Sequence, residues 1–393
     1  MKNLFPSLVF LTLLTGIFIS CERRDPTPDP NLDPGTDPVV VKYSLPKLEE
    51  MTLEQKVGQM FNIRIENLTG STAAAKYPAD DLKAAFEKRP CGGFTLYAAN
   101  IEIPIQTTQL NAFLHGLGAY PLLCIDEEGG TVARIGRNNA FGVPTFTSMG
   151  DVGASGNPKD AYNAGTIIGG YLYDYSFDVD LAPVADVNSN PDNPVIGKRA
   201  FSSDPQMAAD MSSQFLLGLQ GKKVEGCLKH FPGHGDTQTD SHYGFAETLK
   251  TWDEMLECEM IPFKEGIETG ARMIMTAHIS APNVTGSSVP STLSSVILTD
   301  KLRGELGFEG IIITDAMGMG AITQAYSDGD AAIKAIQAGA DIILCPADYT
   351  DTFDTIVHAV QNGTIPESRI NESVARILAL KKDILTKREL LAD

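Results

Sequence analysis

The chain has 393 residues, 43% of them hydrophobic and 21% charged, enough apolar material for the large core of a soluble globular domain. Its 31 basic against 50 acidic side chains leave a net charge of −19, which repels phosphate backbones and excludes nucleic acid as an expected partner.

At the N-terminus Lys2 precedes an apolar run over 4–19, followed by Ser20 and Cys21. The run is short for a membrane span and ends at a small residue plus cysteine, so residues 1–20 read as a lipoprotein signal peptide cut before Cys21. Lipidation of Cys21 would attach the chain to a membrane of the bacterial cell envelope, as a periplasmic or outer-membrane lipoprotein, without spanning it. Residues 21–42 carry Pro26, Pro28, Pro30, Pro34 and Pro38 among Asp and Thr, cannot build a core, and read as a tether. Cys91, Cys124, Cys227, Cys258 and Cys345 are odd in number and lack zinc-type spacing, so they are expected as thiols rather than a disulfide framework.

From residue 43 to 393 short apolar runs alternate with amphipathic helical patterns, so this stretch reads as one domain. The expected strands lie at 57–65, 92–97, 122–126, 179–187, 227–230, 273–279, 311–315 and 341–345. Helical patterns fall between and after them at 79–88, 105–117, 159–175, 205–219, 252–268, 295–306, 330–337, 353–361 and 369–387. Strands apolar on both faces that alternate with helices imply a parallel sheet, and eight such units imply an α/β fold closed as a (β/α)8 TIM-type barrel, with a doubly wound open sheet as the competitor.

A barrel places its chemistry at the C-terminal ends of the strands, and polar residues do close these runs: Asp126, Asp186, Lys229 with His230, His278 and Asp315. Asp315 ends an apolar strand before a small-residue loop, where it could be a nucleophile or a helix cap. Three of the six histidines, His230, His234 and His242, fall close together beside Pro-Gly punctuation. His242 two residues after Asp240 fits an imidazole whose protonated form a carboxylate supports; an Asx turn with a surface histidine is the bland reading. Lys229 and His230 alternate along a strand, so a regular strand would turn only one of them to the barrel axis. Asp126-Glu127-Glu128-Gly129-Gly130 reads either as a loop that lets backbone approach a ligand or as a solvated acidic loop. Arg134 and Arg199 could bind an oxygen-rich substrate, although single arginines say little.

Taken together, Lys229-His230-Phe231-Pro232-Gly233-His234-Gly235 with Asp240-Ser241-His242, Asp126-Glu127-Glu128-Gly129-Gly130 with Arg134, Gly197-Lys198-Arg199-Ala200-Phe201, Ala277-His278 and Thr314-Asp315 resemble glycoside hydrolase family 3, in its single-domain β-N-acetylglucosaminidase branch. The resemblance implies a retaining exo-acting enzyme in which Asp315 is the nucleophile and His242, partnered by Asp240, the general acid/base. It also implies that Asp126, Arg134, Arg199, Lys229, His230 and His278 line the site of a terminal N-acetylglucosamine. No metal or other cofactor is implied; the partner is a carbohydrate and the expected state is a monomer. Thr131 and Ala200 depart from the arginine and serine common in relatives, which bears on subsite detail.

Competing readings are a family 3 β-glucosidase, a non-catalytic glycan-binding lipoprotein, a substrate-assisted hexosaminidase polarised by the acidic run at Asp126, and a metal-dependent hydrolase using His230, His234, His242 and Asp236.

Overall fold

The computed structural model describes residues 41–237 and 246–392. From Lys42 onward the chain forms one compact unit. Eight parallel strands run in sheet order β8-β1-β2-β3-β4-β5-β6-β7, where we number β1 Phe61–Ile63, β2 Gly93–Leu96, β3 Leu122–Ile125, β4 Val179–Asp180, β5 Glu225–Phe231, β6 Met273–Thr276, β7 Ile311–Ile313 and β8 Ile343–Leu344. The parallel bridge Ile313↔Ile342, with Ile342 N donating to Ile312 O at 3.1 Å, joins the last strand to the seventh and closes the cylinder. The expected (β/α)8 TIM-type barrel is the fold found.

The strands are short, and all their residues are buried because helices cover the outer face while side chains fill the interior. The helices Pro104–His115, Pro158–Asp174 and Pro205–Gln220 each begin with proline, whose missing N–H is no loss in a first turn; Asn157 and Asp204 cap the latter two. The last helix, Glu367–Lys387, is pinned beside the strands' N-terminal ends by Asp341. That buried carboxylate accepts from Ser373, Arg376 and Arg303 at 2.6, 3.0 and 2.6 Å.

Four expected elements differ. The run 273–279 ends as a barrel strand at Thr276, and Ile279–Ser280 pairs instead with Ala246–Glu247 in a separate two-stranded sheet. The run 57–65 is not one strand: Thr52 and Gln55 form a capping box that starts the helix Leu53–Gln59, leaving only Phe61–Ile63 extended. The run 179–187 is a continuous strand only over Val179–Asp180; Pro183 has no N–H to give, and beyond it pairing resumes only as a bridge from Val184 to Lys229. The helical pattern 252–268 divides into Trp252–Leu256 and Met260–Thr269. Pro262 explains the break, because a continuous helix would need its missing N–H and would drive its ring against the Cys258 carbonyl. Restarting at Met260 puts the proline in a first turn. All five cysteines from Cys91 onward are free thiols, and four of them are buried.

Candidate active site

The described residues of the expected site converge on the C-terminal rim of the barrel. Asp126 follows β3, Asp186 lies beyond β4, Lys229 and His230 are in β5, His278 follows β6 and Asp315 follows β7. Asp240 and His242 fall outside the described residues, as does Cys21.

Both Lys229 and His230 reach the rim, contrary to the expectation for a regular strand. The register between β5 and β6 shifts between Leu228 and Phe231, so the alternation of side chains is interrupted there. Lys229 Nζ sits 2.6 Å from Glu128 Oε1 and 3.0 Å from Asp126 Oδ1. His230 Nδ1 faces Asp186 Oδ2 at 2.7 Å.

The acidic run after β3 is not solvated. Glu127 is fully buried and accepts from the amides of Arg134, Ile135 and Gly136 at 2.6, 2.9 and 2.7 Å and from the Tyr171 hydroxyl at 2.8 Å. It thereby folds the turn from which Arg134 projects. Arg134 returns to Asp126, Nη2 to Oδ2, at 3.2 Å. Gly129 and Gly130 have φ of +85° and +76°, so the pair serves a left-handed turn; a Cβ on Gly130 would also lie 2.9 Å from Thr147 O.

Glu128 is the hub. It accepts from Arg199 Nε at 2.9 Å and Nη2 at 2.7 Å, a fork matched to a carboxylate, while also holding Lys229. The result is a chain of alternating charge, Arg199–Glu128–Lys229–Asp126–Arg134, assembled from the loops after β3 and β4 and from β5. Burial alone would neutralise Glu128, but Arg199 and Lys229 outweigh it and hold the carboxyl far below its ordinary range. Burial likewise opposes the charge on Lys229 and Arg199, and the facing carboxylates hold both above their usual values. Behind them Asp180, fully buried in β4, is raised well above the ordinary range by burial and by Glu127.

Asp315 is partly exposed. Its Oδ1 accepts the adjacent Ala316 amide at 2.7 Å, and among the described residues no cation lies within ion-pairing distance. Burial pushes its carboxyl up, but His278, His230, the Ala316 amide and Lys229 together bring it below the ordinary value. His278 sits under this carboxylate's loop, with Nε2 3.0 Å from Ala316 O and Nδ1 2.9 Å from Thr292 Oγ1. A cavity of about 730 Å³ adjoins Ala316 between Arg64, Tyr97, Met319 and Cys345.

Two residues of this arrangement had no role assigned from the sequence. Asp186 was visible only as a polar strand exit and Glu128 only as part of an acidic run. Of the groups considered as metal ligands, His234 Nδ1 meets Thr237 Oγ1 at 2.8 Å, Asp236 Oδ2 accepts from Thr248 at 2.9 Å and His230 faces Asp186, while His242 lies outside the described residues. Among the described residues no three His, Cys, Asp or Glu side chains converge as a metal set.

Comparison with known proteins adds a lineage to this geometry. The profile of the glycosyl hydrolase family 3 N-terminal domain matches residues 52–380. The chain is 33% identical to beta-hexosaminidase A of Pseudoalteromonas piscicida over 84% of its own length and 61% of that protein's. It is 34% identical to a beta-hexosaminidase of Nitrosomonas eutropha, covering 69% of this chain and 77% of the relative. A solved glycoside hydrolase family 3 beta-N-acetylglucosaminidase from Paenibacillus superposes with a TM-score of 0.80 at 35% identity, covering 86% of this chain and 63% of the other. The chain thus spans about three fifths of the length of the Pseudoalteromonas and Paenibacillus proteins.

Proposed function

The chain belongs to glycosyl hydrolase family 3, and from that premise we propose that it is a retaining exo-β-N-acetylglucosaminidase. Its substrates are glycans ending in β-linked N-acetylglucosamine, such as peptidoglycan fragments or chitooligosaccharides. The names of the relatives and the chemistry of the rim support this reading.

A retaining glycosidase ordinarily uses two carboxyl groups about 5 Å apart, one as nucleophile and one as acid/base. Here Asp315 takes the first role. An oxygen of its carboxylate bonds to the anomeric carbon as the bond to the leaving oxygen breaks, and His242 gives that oxygen its proton. Water then attacks the same carbon, its proton passes to His242, and the Asp315 carboxylate is released. Asp240 supports the imidazolium between these steps. Asp126, Arg134, Arg199, Lys229, His230 and His278 bind the hydroxyls and acetamido group of the terminal sugar. The alternating ion pairs suit this task because each partner is oriented before the sugar arrives.

The observation that carries the reading is Asp315 itself, a partly exposed carboxylate held in its charged form without a direct cation partner among the described residues. A nucleophile needs charge and an unblocked lone pair, and Asp315 has both at the mouth of the barrel. A substrate-assisted mechanism is less well supported, since Glu127 is occupied by loop amides and Glu128 by two cations.

A fluorinated N-acetyl-β-glucosaminide analogue that slows deglycosylation tests the proposal. Mass spectrometry of the digested protein should find the sugar ester on Asp315, and stable labelling elsewhere, or none, overturns it. Envelope attachment through Cys21 belongs to the same proposal. Cells fed a labelled fatty acid should transfer label to the wild type and not to Cys21→Ala.

A further inference from the structure

Arg134 is held less firmly than the other cations of the rim. Arg199 forks onto Glu128 through two nitrogens, but the Arg134 side chain makes one hydrogen bond among the described residues, Nη2 to Asp126 Oδ2 at 3.2 Å. That carboxylate is shared with Lys229, and Arg134 Nε is buried with no acceptor. A planar group tied at one point can still turn about it.

What limits the turn is an aromatic ring. Tyr97 directly follows β2, and its ring centroid lies 5.5 Å from the Arg134 guanidinium carbon, within cation–π range. The ring is itself fixed at both ends. The Tyr97 amide donates to Asn100 Oδ1 at 2.9 Å, and Asn100 Nδ2 donates in turn to Glu66 Oε1 at 2.6 Å and Ala75 O at 3.0 Å. At the other end the hydroxyl reaches Cys345 Sγ, beyond β8, at 3.7 Å. The Arg64 guanidinium carbon lies over the same ring at 4.9 Å, but this side chain is half-exposed, so solvent screens its repulsion of Arg134.

We propose that Tyr97 is a positioning residue that sets the plane of the Arg134 guanidinium, so that the donors Asp126 leaves free point at the terminal sugar. The inference rests on the assignment of Arg134 to that sugar. A ring face attracts a cation through its quadrupole and takes no hydrogen-bond donor from it. A second carboxylate in the same place would fix the plane equally well but would consume the donors the sugar needs.

The test is a double-mutant cycle on kcat/KM for an aryl N-acetyl-β-glucosaminide. Tyr97→Leu should lower it about 10-fold, the scale of one partly desolvated cation–π contact, whereas Tyr97→Phe keeps the ring and should lose no more than about threefold. In an Arg134→Met background, adding Tyr97→Leu should cost no more than about twofold further. A crystal structure of Tyr97→Leu with N-acetylglucosamine bound should show the Arg134 guanidinium turned about its bond to Asp126. If Tyr97→Leu does not fold, Tyr97→Met fills more of the space without a ring face and takes its place in the same cycle. A loss equally large with and without Arg134, equal losses for the Leu and Phe variants, or an unmoved guanidinium overturns the inference. Wild-type kcat/KM in Arg134→Met alone overturns the assignment of Arg134 to the sugar instead, so the two failures are distinguishable.

Discussion

The Asp186 carboxylate fixes the His230 ring: Oδ2 faces His230 Nδ1 at 2.7 Å, and Oδ1 accepts the amides of His230 and His234 at 3.2 and 2.7 Å. These three contacts on one fully buried group leave His230 Nε2 as the nitrogen turned from Asp186, and they favour the proton on Nδ1. Burial raises the Asp186 carboxyl, but His230 and His234 together hold it below its ordinary value.

Asp186→Asn puts an N–H where an acceptor is needed. A hydrogen bond to a charged group contributes about 1.5–3 kcal/mol, so kcat/KM on an aryl N-acetyl-β-glucosaminide should fall roughly 10- to 100-fold. The variant should also lose part of the acid sensitivity of the fold. A carboxyl with a lowered folded pKa contributes stability above the unfolded value, and that contribution disappears as pH falls through the folded one. Thermal melts between pH 7 and pH 3 should show a shallower decline for the variant than for the wild type.

His242→Ala should depend on the leaving group. An activated aryl group departs with little protonation, so its hydrolysis should suffer far less than that of a chitooligosaccharide. Asp315→Ala should lose at least about 10⁴-fold in kcat on both, because no leaving group substitutes for a nucleophile. Equal losses for His242→Ala on the two substrates would remove it as the acid.

Lys381 gives a second pH prediction, of the same sign but in a higher pH range. Its side chain is fully buried, donating to Gln59 Oε1 at 2.7 Å and Ala119 O at 3.2 Å, and burial lowers its pKa to about 7. Between that value and the ordinary lysine range the unfolded chain binds a proton that the folded one does not. Stability from this group therefore rises with pH, by at most about 1.4 kcal/mol per unit. Lys381→Met should flatten the rise of denaturant-unfolding stability between pH 7 and 9, and an unchanged slope would show that the amine is charged in the fold.

Gly235, in the His-Pro-Gly segment, is required for space. A Cβ there would lie 1.7 Å from Val187 O, and the Gly235 carbonyl accepts the Asn190 amide at 3.2 Å. Gly235→Ala should destabilise by about 1–3 kcal/mol and separate the loops beyond β4 and β5, raising KM more than it lowers kcat. Calorimetry and steady-state kinetics check both parts.

The alternation of apolar runs and helical patterns was enough to specify a parallel α/β sheet and, with eight units, to favour the barrel over a doubly wound sheet, because burial on both strand faces and on one helix face is a one-dimensional property. The same logic located Asp126, Asp186, Lys229, His230, His278 and Asp315 at strand exits, since a rim is where a buried run must end. Periodicity did not reveal the helix at 53–59 or the break before Met260, where a capping box and Pro262 override the apolar pattern.

By itself the sequence determined the fold, the lineage and the set of ionisable residues delivered to one end of the barrel. Only the tertiary structure decided how those charges pair. Glu127 is assigned to loop amides, Glu128 to Lys229 and Arg199, Asp126 to Lys229 and Arg134, and Asp315 is left without a direct cation partner among the described residues. Those choices depend on ion-pair contacts of about 3 Å between loops distant in sequence, which closure of the cylinder and the irregularity at Leu228–Phe231 create and no spacing along the chain encodes.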